Sequence, residues 1–122
     1  MRLRWLSIAG AISGALVVVL GAVGAHALNA PEHTALLQTA VQYHMFHTLA
    51  LFVIDAAAMR YPRSRLWWWG GGLMLLGIVF FCGSLYVAAL GGYRGLTRLA
   101  PFGGTAFIVA WVIFAAGWWR SR

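Results

Sequence analysis

Few side chains in this sequence could do chemistry, and most of them lie in one stretch. His44 and His47, three residues apart in Tyr43-His44-Met45-Phe46-His47, project from one face of a helix. With His26 or Cys82 they supply three ligands to a soft or borderline metal such as copper or zinc. His26 and His47 are the best axial pair for a haem. Imidazoles, which titrate near neutrality, also suit a proton relay. The spacing permits each chemistry without being diagnostic of any, because HExxH, CxxC and Glu-x-x-His pairs are absent. A relay is interrupted as well, since nothing ionisable lies between His47 and Asp55 on that helix. No nucleophile–base–acid set appears, and Gly70-Gly71-Gly72 follows tryptophans rather than a strand, so it is no phosphate loop. The expectation is a protein that is not an enzyme and has no resident metal or cofactor. Gln42, Tyr43 and His47 then serve as hydrogen-bonding groups between neighbouring helices.

The elements that must position these groups follow from composition. Of 122 residues, 62% are hydrophobic and 9% charged, against roughly half and about a quarter in soluble domains. So much apolar surface excludes a disordered chain, and one cysteine, Cys82, excludes a disulfide-stapled module. Four apolar runs stand out: Leu6–Leu28, Thr39–Met59, Leu66–Leu90 and Leu99–Trp119, each 21 to 25 residues long. At about 1.5 Å per residue, each is long enough to cross a hydrocarbon core of roughly 30 Å. Barrel strands would be shorter and would alternate. The fold class is therefore all-α, a single membrane domain over residues 1–122 built as a four-transmembrane-helix bundle.

Arginine sets the orientation. Arg2, Arg4, Arg60, Arg63, Arg65, Arg120 and Arg122 fall on one side of a four-span arrangement, and Arg94 and Arg98 on the other. By the positive-inside bias both termini are cytoplasmic, in a bacterial inner membrane. Trp5, Trp67, Trp68, Trp69, Trp118 and Trp119 gather at the same end as an aromatic belt, leaving Trp111 alone inside a span. Arginines placed as membrane anchors also dispose of nucleic acid as a partner, despite a net charge of +7. Arg2, Arg4 and Ala25-His26-Ala27 imitate a secretory signal, but the apolar run is about twice the length of an h-region and more spans follow, so it is read as a retained span.

Depth along the spans groups the polar residues. His26 closes the first span; Gln42, Tyr43, His44 and His47 enter on the second; Cys82, Ser84 and Tyr86 leave on the third; Thr105 re-enters on the fourth. A helix from Pro31 to Arg60 is longer than a span requires, so Glu32, His33, Thr34 and Gln38 are expected in or above the outer interface. The outer half then holds a polar cluster turned inward from lipid, and the inner half is nearly all apolar. Asp55 is the exception, one turn from Arg60, and is expected to pair with Arg60, Arg63 or an arginine of another helix. Small residues (Gly10-xxx-Gly14, Gly21 and Gly24 on the first span, Gly77 and Gly83 on the third, Gly103 and Gly104 on the fourth) suit close helix packing, within one chain or between copies.

Four blocks in order carry a resemblance: Gly21-Ala-Val-Gly-Ala-His-Ala-Leu28, Thr39-Ala-Val-Gln-Tyr-His-Met-Phe-His-Thr-Leu-Ala-Leu51, Phe81-Cys-Gly-Ser-Leu-Tyr86 and Pro101-Phe-Gly-Gly104. The chain resembles the small inner-membrane proteins of the domain of unknown function 423, or YgdD-like, family. The resemblance implies four spans and puts the family's motif residues at His26, Gln42, Tyr43, His47, Gly83, Ser84, Tyr86, Pro101, Gly103 and Gly104. The chain departs at His44, where relatives tend to have Gln, and at Cys82, where Ser is usual. The resemblance brings no activity with it. The functional expectation is a non-catalytic bundle acting as a homo-oligomer or as an accessory subunit of a membrane complex. The alternative is a binding or transport protein whose outer pocket takes a metal ion, a proton or a lipid-like ligand.

Overall fold

Apolar sequence broken at three short connections produces four helices, seen in a computed structural model that describes residues 4–121. Arg2 and Arg122 lie outside the described residues. Helix α1 spans Trp5–Ala27, α2 Pro31–Arg60, α3 Leu66–Gly91 and α4 Ala100–Arg120. Among the described residues there is no strand.

The helix ends have local causes. Leu28 is extended, and its N–H closes α1 onto the Gly24 carbonyl at 3.1 Å. Pro31 then opens α2, where its missing N–H costs nothing, and Glu32 complements the helix dipole. Tyr61-Pro62 ends α2, since the residue before proline avoids helical backbone. Gly92, at a φ of 71°, is the left-handed residue that stops α3. A 3-10 turn, Gly95–Leu99, leads into α4.

Inside α3 the residues Ile78–Cys82 form a π-helical segment, flanked by Gly77 and Gly83. The backbone of α4 comes closest there. A methyl on Gly103 would lie 2.8 Å from the Phe81 Cβ and closer still to its backbone nitrogen. Gly77 is covered in the same way by the Phe107 ring.

The chain is two antiparallel hairpins joined through α2 and α3. On α1, Gly10 faces the Phe52 ring, Gly14 faces Thr48, Gly21 faces Val41, and Gly24 is covered by Leu37. The small-residue stripe of α1 is thus taken up by α2 of the same chain. Gly104 is in ordinary contact with Phe81, whereas Gly83 has nothing within reach of a side chain. Gly83 therefore borders the π segment and makes no close packing contact within the chain. In α3, 50% of the most apolar stretch is buried, against 22% in α1 and in α4, so α3 is a central helix.

Among the described residues three helices are long and apolar enough to cross a membrane: α1, α3, and α4 together with its leading 3-10 turn. Helix α2 is the exception, because glutamines, histidines and Asp55 dilute its apolar content. Its first turns lie level with the end of α1. The short connection from Ala27 to Pro31 sets Leu37 level with Gly24, so the two helices run side by side from the turn onward.

Candidate functional site

His44 is the centre of the largest polar group. It is 3% exposed on α2. Its Nε2 lies 2.8 Å from the Ser13 hydroxyl of α1, which lies 2.7 Å from the Thr48 hydroxyl one turn further along α2. Its Nδ1 lies 2.8 Å from the Tyr86 hydroxyl of α3. One imidazole thereby ties three helices together. A neutral ring offers one donor and one acceptor, so the chain of bonds runs in either of two directions. In one, Tyr86 donates to Nδ1, the Nε2–H donates to Ser13, and Ser13 donates to Thr48. In the other, Thr48 donates to Ser13, Ser13 donates to Nε2, and the Nδ1–H donates to Tyr86. Each direction leaves one terminal hydroxyl hydrogen, that of Thr48 or of Tyr86, for a further acceptor.

His47 is satisfied separately. Its Nδ1 is 2.7 Å from the Tyr43 carbonyl, which can only accept, so Nδ1 carries the hydrogen and Nε2 accepts. Trp111 of α4 donates its indole N–H to that Nε2 at 3.1 Å. The ring also stacks on Phe107 with centroids 3.7 Å apart. His44 and His47 therefore diverge to different neighbours and do not share a face aimed at one ligand. Three residues on a helix advance the direction by about 300°, and the helices on either side take up that divergence.

The remaining predicted residues divide. Ser84 is buried and donates to the Phe81 carbonyl at 2.9 Å, within the widened turn of α3. Tyr43 is 44% exposed and packs on Phe81. His26 and Gln42 are exposed, and so is Thr105, which donates back to the Pro101 carbonyl. These three do not join the cluster, because similar height along a bundle leaves the direction of a side chain free. The His44 group itself lies near the middle of α1 and α2 rather than close to their connecting turn. Cys82 is buried and free. No group of three or more His, Cys, Asp or Glu able to hold a metal ion is found among the described residues. Both nitrogens of His44 and of His47 are already engaged, so a copper, zinc or haem iron would have to break these bonds.

Asp55, 0% exposed, takes its partner from α1. Arg4 donates to Oδ2 through Nε at 2.9 Å and sits 2.8 Å away through its terminal nitrogen, and the Ser7 hydroxyl donates to the same oxygen. The other oxygen, Oδ1, has no partner among the described residues. Arginines 60 and 63, nearer in sequence, are not the partner, because the α1–α2 register brings Ser7 directly opposite Asp55. Ser13, Thr48, Ser7 and the Trp111 indole are the functional neighbours that the sequence reading missed.

Two grooves flank these groups. One, of about 450 Å³ between α1 and α3, is lined by apolar side chains with Ser13, His44 and Tyr86 as its polar part. The other, of about 510 Å³ between α2 and α4, is lined by Gln42, Tyr43, His47 and Trp111 among aromatic rings. The single expected pocket is thus two, one for each histidine.

Comparison with known proteins places the chain beside membrane proteins. The family described as protein of unknown function (DUF423) matches residues 20–104. A UPF0382 membrane protein of Bacillus subtilis, YwdK, is 42% identical over 109 residues, covering 87% of this chain and 89% of the relative. The UPF0382 inner membrane protein YgdD of Escherichia coli K12 is 37% identical over 121 residues, covering 96% and 91%. A UPF0382 membrane protein of Haemophilus influenzae is 34% identical, covering 100% and 98%. No solved structure matches the chain. Three spanning helices and relatives named membrane proteins make this a multi-pass membrane protein.

Proposed function

This chain belongs to the DUF423 family, and from that premise we propose that it is a four-pass inner-membrane protein with cytoplasmic termini. It works without catalysis, as a helical bundle contacting another membrane protein or a second copy of itself. One observation carries the reading: the buried polar side chains of α2 are spent on neighbouring helices, through Ser13, Tyr86, Trp111 and Arg4. Polar groups in lipid are stabilised in that way. The same observation supports α2 as the fourth pass, since His44, Thr48 and Asp55 are all turned inward.

The orientation is supported by the gathering of charge at one end. Arg60, Arg63 and Arg120 border one cavity, and Trp5 stacks on Trp68 while Trp67 meets Trp118 at the same end. A partner meets the outer faces, because the glycine stripe of α1 is occupied by α2. On α1 the exposed stripe is Ile8, Ile12, Leu16, Val19 and Val23.

Crosslinking in native membranes tests the reading: a band heavier than the monomer is expected, and monomer alone contradicts it. For the topology, Arg63→Cys, just after α2, should label only from the cytoplasmic side and Glu32→Cys, at its start, only from the other; labelling of both from one side removes α2 as the fourth pass.

A second reading has its own support. The groove between α1 and α3 is apolar except for Ser13, His44 and Tyr86, and one hydroxyl hydrogen of that group is spare. A lipid-like ligand with a carbonyl acceptor fits there. A co-purifying amphiphile seen by mass spectrometry, and lost with Tyr86→Phe, would favour this reading over the first.

A further inference from the structure

At the arginine-rich end lies a cavity of about 320 Å³ between the α2–α3 connection and the last turn of α4. Arg60, Arg63 and Arg120 border it, with Tyr61, Pro62, Ser64 and Trp67. No acidic side chain among the described residues pairs with these guanidinium groups. The chain holds two acids: Glu32 opens α2 at its far end, and Asp55 is taken by Arg4. A separate observation falls on the same cavity. Trp67 is 0% exposed, and its indole N–H has no partner among the described residues. A buried donor left unsatisfied is uncommon in a folded protein and marks a place where an acceptor belongs.

We infer that this cavity binds a phosphate group, carried on an acidic phospholipid or free in solution. Three arginines line it, from the end of α2, the α2–α3 connection and the end of α4, and guanidinium groups favour phosphate recognition. A volume near ten times the roughly 30 Å³ share of a water molecule accommodates a phosphodiester with its adjoining glycerol. Trp67, with its unpartnered indole N–H, and Ser64 are among the residues that line it. Basic pockets between helices at a cytoplasmic surface favour anionic headgroups for the same electrostatic reason. The site is distinct from the His44 group and does not depend on it.

The test uses the full chain, purified in a zwitterionic detergent, stripped of lipid and examined by native mass spectrometry. Phosphatidylglycerol, phosphatidylcholine and inorganic phosphate are added separately. Retention of phosphatidylglycerol well above phosphatidylcholine is expected, falling about thirtyfold in Arg63→Gln/Arg120→Gln as two interfacial cations are removed. Arg94→Gln/Arg98→Gln, at the other end of the bundle, should keep the preference. Trp67→Phe keeps an aromatic ring, though a smaller one, and removes the donor, and should weaken retention a few-fold. Displacement of phosphatidylglycerol by millimolar inorganic phosphate identifies the phosphate alone as the recognised group; retention without such displacement identifies the lipid as the source. Equal retention of the two lipids by the wild type, with no phosphate bound, overturns the inference. So does equal loss of preference from both arginine pairs.

Discussion

Replacing Arg4 by methionine isolates the buried acid. Asp55 is inaccessible, and its Oδ2 takes Arg4 Nε at 2.9 Å, the terminal nitrogen at 2.8 Å and the Ser7 hydroxyl. Arg4→Met removes the cation and two of three donors, leaving a carboxylate whose other oxygen already lacks a partner. Breaking a buried pair from one side costs about 3–5 kcal/mol. The Arg4 side chain is 57% exposed, so water screens part of the loss and the lower end, about 3 kcal/mol, applies. Asp55→Leu leaves Arg4 free to turn to water, at a cost of about 1 kcal/mol. Arg4→Met with Asp55→Leu removes both charges together and should fall within about 1 kcal/mol of the wild type. Reversible unfolding in mixed micelles, titrated with dodecyl sulfate and followed by circular dichroism, reads all three variants. Simple additivity of the two single losses would refute the pairing, as would an Arg4→Met cost below about 1 kcal/mol.

Other expectations are read in the same assay. Gly103→Ala forces α4 away from the Phe81 backbone and should cost about 1–3 kcal/mol, whereas Gly83→Ala, with nothing in reach, should be neutral or gain up to about 1 kcal/mol of helix propensity; equal effects would mean the hairpin register is wrong. His47→Leu strands the Trp111 N–H and should cost about 1–2 kcal/mol, while His33→Leu, half-buried on the first turn of α2, should change little; matching stabilities would mean His47 is not the buried member.

The helices were legible because each is a long apolar run between turn signals, and the end of α2 at Tyr61-Pro62 and the stop at Gly92 have local chemistry. His44, His47 and Tyr86 were legible as groups too costly to leave facing lipid. Their partners were not. A lone hydroxyl such as Ser13 or Thr48 carries no signal in an apolar run, because it can bond its own backbone. Sequence position gives height along a bundle but not the direction of a side chain, so His26, Gln42 and Thr105 share the neighbourhood without joining it. Asp55 found Arg4 rather than Arg60 for a related reason: helix register, set by a short turn, outweighs proximity along the chain. The π segment at Ile78–Cys82 has no composition of its own and follows from the fit of α3 on α4.

The central claim is that His44 fastens α1 and α3 to α2 through Ser13 and Tyr86, and a double-mutant cycle of His44→Leu with Tyr86→Phe in detergent tests it most directly. Interhelical hydrogen bonds in membranes average about 0.6 kcal/mol and reach about 1.7, so a coupling near 1 kcal/mol is predicted for this buried 2.8 Å contact. Losses that add to within about 0.3 kcal/mol would contradict it.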